Sequence, residues 1–170
     1  MKNPTVLYMF ERFTKNKQML SYVRRNPAVF EELLQLSFDL HHKQAWRCAM
    51  LVGHIIKRND LRIVSHIDKY IDVLPILPHD GHQRQVLIIL DKMKLKEDQE
   101  GRLFDKCMTL WEDINKIPST RIRAFWLLLK IAKPYPEIQQ EIKHFTSAYY
   151  LETLSPGIKY SLEQKIQKFT

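Results

Sequence analysis

Side chains able to do chemistry are few in this sequence, and they are scattered. His79-Asp80-Gly81-His82 sets two imidazoles around a carboxylate, Glu141-Ile-Lys-His144 sets a carboxylate and an imidazole one helical turn apart, and His41, His42 and His54 add three more rings. The first group could grip a metal ion only if Asp80 turned inward, whereas an Asp at a helix start spends its oxygens on the free N–H groups of the first turn. A di-iron bundle needs two Glu-x-x-His motifs and two further inward glutamates, and the chain has a single such motif. There is no Gly-rich phosphate loop, no G-x-S-x-G elbow and no C-x-x-C pair. The expectation is a chain without catalytic residues, cofactor or metal: a non-enzymatic protein.

Cys48 and Cys107 lie within helical apolar faces and read as buried free thiols of a reducing, cytoplasmic environment. The 170 residues suit one domain spanning 1–170, large enough to fold without disulfides or metal. Only 4 glycines occur and Asp80-Gly81 is the sole tight-turn pair, which excludes an all-β fold. The segment TVLYMFERF is interrupted by Glu11 and Arg12, so no secretory signal is expected, and Val86–Leu90 and Ala124–Leu129 fall far short of the ~20 apolar residues that cross a bilayer.

The elements that must position these residues are helices. Asn3-Pro4, Asn26-Pro27 and Ser155-Pro156 each place a capping side chain before a proline at the first helical position. Asp80, Ser119 or Thr120, and Tyr135-Pro136-Glu137 mark further starts, and Pro134 marks a stop. Apolar residues recur at three- and four-residue spacing in Ile63, Val64, Ile67, Tyr70, Ile71, Leu74; in Leu103, Phe104, Cys107, Met108, Trp111, Ile114; in Ile138, Ile142, Phe145, Tyr149; and in Ile158, Leu162, Ile166, Phe169. About ten helices are expected, over 4–13, 15–25, 27–39, 42–58, 60–74, 80–94, 99–115, 119–133, 136–152 and 156–169, with antiparallel neighbours. Trp46, Trp111 and Trp126 are expected in the core, and Gly53, in mid-helix, is expected where a neighbouring helix comes close.

The helix pairs repeat. Aligning Arg47 with Arg84 and Arg123 superimposes Ala49, Val86 and Phe125, then Val52, Ile89 and Leu128, then Ile56, Met93 and Ala132. A period of about 37–39 residues made of two helices fits a helical solenoid, in which each pair covers its neighbour's apolar face. The segment NPAVFEELLQLSFDLHHKQAWRCAMLVGHIIKR, with paired Leu33 and Leu34, Asp39 near the turn and a second helix opening with aromatic-Arg-x-Ala, resembles a HEAT-type repeat. The resemblance is to small bacterial HEAT-like proteins of unassigned activity. It implies an all-α, right-handed α-α superhelix of about five antiparallel helix pairs, with second helices lining a concave surface. A purine-pathway lyase label used for such proteins does not fit, because that enzyme is far longer and its Ser-rich loop has no counterpart here.

Charge is sorted by helix class. From residue 26 onward, first helices with their lead-in turns hold 15 Asp/Glu against 6 Lys/Arg, and second helices with theirs hold 15 Lys/Arg against 3 Asp/Glu, within a net charge of +8. Helical geometry arranges three rows: Arg47, Arg84 and Arg123; His54, Asp91 and Lys130; Lys57, Lys94 and Lys133; with Lys43 and Arg58 extending the edge. The resemblance gives the arginine row a structural reading as well, a ladder with acidic residues of neighbouring turns, while the lysine row has none. The leading expectation is a binding scaffold whose basic concave surface takes an acidic protein partner. The alternative is a nucleic-acid-binding protein similar to the HEAT-like DNA-alkylation glycosylases. Their catalytic Asp and aromatic groups cannot be matched here, because Asp113 falls on a first helix.

Overall fold

The computed structural model describes residues 5–169, so the Asn3-Pro4 start signal lies outside the described residues. Among these, every regular element is helical: α1 (Val6–Arg12), α2 (Asn16–Arg25), α3 (Pro27–Leu36), α4 (Ala45–Ile55), α5 (Leu61–Val64), α6 (Ile67–Val73), α7 (Asp80–Asp91), α8 (Glu97–Glu112), α9 (Pro118–Ala132), α10 (Pro136–His144), α11 (Ala148–Leu151) and α12 (Pro156–Phe169), with a 3-10 turn at Leu74–Ile76. The chain forms two compact units, residues 1–94 and 95–170.

In the first unit α4 is the central element, packed on α3, α2 and α7. Its face of Cys48, Ala49, Leu51 and Val52 is buried, as are Leu33 and Leu34 of α3 and Val86, Ile89 and Leu90 of α7. Each such aliphatic side chain contributes about 1.5–3 kcal/mol relative to exposure. In the second unit α9 packs on α8 and α10, and Trp111 meets Phe125 at 4.4 Å between ring centroids. All nine residues superimposed by the repeat alignment are buried.

Two expected long helices are broken. The span 60–74 divides at Ser65-His66 into α5 and α6, which shifts the helical phase and leaves Val64 48% exposed while Ile63 and Ile67 stay buried. The span 136–152 divides at Phe145–Ser147, and Tyr149 leaves the buried stripe for the surface. Proline begins α3, α9, α10 and α12, although Asn26 does not cap α3 with its side chain. Its amide donates back to the Tyr22 carbonyl at 2.8 Å.

Gly53 is buried in α4, facing α7, and a methyl group there would meet Ile88 and Ile89 at an ordinary 3.7 Å. The neighbouring helix is present, but it does not require glycine. Beside it, the Lys92 ammonium donates to the carbonyls of Gly53 (2.6 Å) and Ile56 (3.1 Å). A cation on α7 thereby closes the C-terminal end of α4.

Ser37, fully buried after α3, joins three elements. Its hydroxyl donates to the Leu34 carbonyl at 2.7 Å and so must accept the Tyr70 hydroxyl hydrogen, while its own carbonyl accepts the His82 Nε2–H at 2.7 Å. Burial pushes the Tyr70 phenol well above its ordinary range, which keeps that hydrogen in place.

Candidate functional site

Seven of the ten candidate anion-binding residues are exposed: Lys43, His54, Lys57, Arg58, Lys94, Lys130 and Lys133. Arg47, Arg84 and Arg123 are half-buried. Only Arg47 and His54 on α4, Arg84 on α7, and Arg123 and Lys130 on α9 lie on helices; Lys43 sits in the turn before α4. Helix α4 ends at Ile55 because Ile56 turns to extended backbone (ψ 145°), and Asn59 then adopts the left-handed region at φ 54°. Lys57 and Arg58 therefore lie in a turn, Lys94 follows the end of α7, and Lys133 is the C-cap of α9. The lysine row expected on helical faces is a set of residues just past three helix C-termini, where a cation complements the negative end of the helix dipole.

The repeat arginines do not form the expected acidic ladder: none of Arg47, Arg84 and Arg123 pairs with a carboxylate among the described residues. The Arg47 guanidinium lies 4.6 Å from the centre of the Phe10 ring and donates to Gln44 Oε1 at 3.3 Å. Arg84 Nε is buried without a hydrogen-bond partner.

A different arginine is locked in place. Arg121, 0% exposed, donates to the Trp111 carbonyl (3.0 Å), the Thr153 hydroxyl (2.7 Å) and the Tyr150 carbonyl (2.7 Å). Its signal was present in the sequence, because Arg121, Ala124, Phe125 and Leu128 share the i, i+3, i+4, i+7 face that is buried. In the repeat register Arg121 corresponds to His82 and Ala45, each two residues before a repeat arginine and each buried. This inward position carries buried polar groups that hold backbone carbonyls, in His82 and in Arg121.

The tryptophans separate. Trp111 is fully buried and donates its indole N–H to the Phe145 carbonyl at 2.8 Å. Trp126 is half-buried, with Lys165 Nζ 3.8 Å from its ring centre. Trp46, expected in the core, is instead 42% exposed. Ala45, Cys48 and Ala49 form the buried face of α4, and Trp46 lies off that face.

Trp46 stands at the edge of a cleft of about 360 Å³ in the first unit, shared with Asp39, His41, His42, Lys43, Pro78, His79 and His82. Four of the chain's seven imidazoles gather here. Asp39 Oδ1 accepts the backbone N–H groups of His41 (2.8 Å) and His42 (3.1 Å), and those bonds lower its pKa. His79, rather than Asp80, is the N-cap of α7. Among the described residues no group of three or more His, Cys, Asp and Glu side chains is arranged to hold a metal ion.

A family model for the HEAT repeat domain matches residues 10–169. The chain belongs to the HEAT repeat domain family. No curated protein and no solved structure matches it. The helices pack in neighbouring pairs as in a HEAT solenoid, the kind of module that serves as a protein-interaction scaffold, and the family is typically non-enzymatic. No helix is long and apolar enough to cross a membrane among the described residues. The HEAT register also accounts for the split between buried and exposed residues: positions 49/86/125 and 52/89/128 pack, while Lys57, Lys94 and Lys133 fall where each second helix has already ended.

Proposed function

We propose that this HEAT-repeat domain is a cytoplasmic, non-enzymatic binding module, a single domain over residues 1–170, that takes an acidic protein segment on the basic surface of its second helices and the turns after them. The observation that carries this reading is the exposure of Lys43, His54, Lys57, Arg58, Lys94, Lys130 and Lys133 within helices and turns where Lys and Arg outnumber Asp and Glu by 15 to 3. Arg47, Arg84 and Arg123, half-buried and without carboxylate partners among the described residues, add to this positive charge. Such a surface steers an acidic partner and speeds its association.

The test uses poly-L-glutamate as the acidic probe, with binding followed by anisotropy between about 50 and 200 mM salt. Binding at the lower salt, abolished by joint reversal of Lys57, Lys94 and Lys133 to Glu with the thermal midpoint nearly unchanged, supports the reading. Absence of binding at the lower salt sinks it. Nucleic acid is the second reading, favoured by the open indole of Trp46. Mixed-sequence duplex and single-stranded DNA run in parallel must lose roughly a thousandfold in affinity over that range if six or more phosphates are held.

A further inference from the structure

Helix α2 has two distinct faces. Met19 and Val23 are buried, while Gln18, Ser21, Tyr22 and Arg25 follow the i, i+3, i+4, i+7 spacing along another side. There the chain leaving α1 turns extended at Phe13 (ψ 134°) and brings its ring to 5.4 Å from that of Tyr22, tilted by 53°. Both rings are half-buried. They line a groove of about 600 Å³, together with Gln18, Ser21, Arg25, Lys17 and Asn26.

The groove joins apolar walls to charge of one sign. Lys17 and Arg25 are exposed in its lining, which contains no Asp or Glu. Over residues 12–26 the charged side chains are Arg12, Lys15, Lys17, Arg24 and Arg25, all basic. The Arg25 guanidinium donates to the Ser21 hydroxyl at 2.7 Å, which holds it on the groove side of α2 and leaves N–H donors for a carboxylate. Lys17 and Arg25 are eight residues apart, so they stand about 12 Å apart along one side of the helix. An extended peptide advances about 3.3–3.6 Å per residue and turns every second side chain to the same side. Carboxylates four positions apart therefore match the two cations, and the side chain midway between them faces the same way, towards the rings.

We propose that this groove binds an extended acidic segment of a partner protein with the pattern acidic–x–apolar–x–acidic. Its two carboxylates lie on Lys17 and Arg25, and its central large apolar side chain lies between Phe13 and Tyr22. Charge complementarity sets the sign of the segment, and the tilted rings set its anchor, because they meet in a crease that one inserted side chain touches on both walls. The inference rests on the acidic-partner reading and deepens it, adding an apolar contact made by residues outside the lysine row.

Two fluorescein-labelled peptides are titrated against the full chain at low salt, with anisotropy as the readout. Both carry glutamates four positions apart in a serine background; one has phenylalanine midway between them and the other alanine. The phenylalanine peptide binds more tightly by about tenfold or more, the order expected for burying that side chain. This comparison needs no variant of the protein. Phe13→Ala removes the preference, with the thermal midpoint confirming that the variant folds. Lys17→Glu combined with Arg25→Glu weakens the phenylalanine peptide about tenfold or more, while joint reversal of Lys57, Lys94 and Lys133 leaves the preference intact. A phenylalanine peptide that fails to bind, or binds no better than its alanine counterpart, overturns the inference. Binding of poly-L-glutamate in the same assay would then leave the acidic-partner reading standing. A preference that survives Phe13→Ala overturns the inference as well. So does binding of single-stranded DNA or of phosphatidylserine vesicles through Lys17 and Arg25 when neither peptide binds, which would give the groove to a phosphate ligand.

Discussion

Arg121 closes back on Trp111 twice: its Nε donates to the Trp111 carbonyl at 3.0 Å, and its guanidinium lies 4.7 Å from the centre of the Trp111 ring. The same guanidinium reaches Tyr150 and Thr153, so one side chain joins the end of α8 to the start of α9 and to the α11 segment. Hydrogen bonds from a charged donor contribute about 1.5–3 kcal/mol each, and the carbonyls left behind lose their partners. Arg121→Ala is expected to cost about 3–5 kcal/mol in urea unfolding. Arg121→Lys should recover only part of this, because an ammonium lacks the planar fork. An unchanged unfolding midpoint for the alanine variant would show that this contact is incidental.

Gly53→Ala should stabilise. The position is helical, a methyl fits at 3.7 Å from Ile88 and Ile89, and glycine in a helix interior costs about 0.8–1 kcal/mol against alanine. The thermal midpoint should rise by about 2–4 °C. A fall would mean that α4 and α7 pack more closely than these contacts allow.

Asp60 gives the chain an acid-sensitive contact. Its carboxylate accepts the Arg62 side chain at 2.9 and 2.7 Å and the Arg62 backbone N–H at 3.2 Å, and the Arg62 hydrogen bonds hold its pKa down at about 2. A carboxyl depressed in the folded state stabilises it above its unfolded pKa, near 4, and loses that stabilisation as pH falls from there towards 2. Asp60→Ala should cost about 1 kcal/mol at neutral pH, discounted for the half-exposed Arg62. The difference from the parent should shrink through that window. A difference independent of pH would refute the ion-pair account.

The thiols should be silent. Cys48 is fully buried and its pKa is pushed up to about 12, chiefly by desolvation, and burial raises Cys107 as well. At pH 8 roughly one Cys48 in ten thousand is thiolate. A disulfide-exchange reagent should titrate no thiol in the folded chain and two after unfolding in guanidinium. Fast reaction of either in the native protein would contradict this burial.

The apolar period was the most legible part of the sequence. Ala49, Val52 and Ile56 with their counterparts fall inside as the alignment requires, because helical spacing and burial are directly linked. Harder to read was where helices stop. Nothing in Ile55-Ile56-Lys57-Arg58 announces that the backbone turns extended at Ile56, so apolar spacing alone carries Lys57 into α4. The break at Ser65-His66 was equally hidden and cost Val64 its place in the core. For Trp46 the helical spacing was correct, but its side of α4 opens on a cleft, a fact of tertiary packing that apolarity alone does not carry. Charge alone directs Arg121 to the surface, whereas its position on the Phe125 face is the signal that it lies inside.

Since α4, α7 and α9 end before Lys57, Lys94 and Lys133, the lysines that follow them are exposed. Mutation can therefore exchange them one at a time, for neutral or acidic residues, at little expense to folding. The cysteines, the inward arginine and the aligned aliphatic positions have no such latitude. Over evolutionary time a chain built this way can change which charges it displays, and so which molecules it attracts, while its interior sequence stands still.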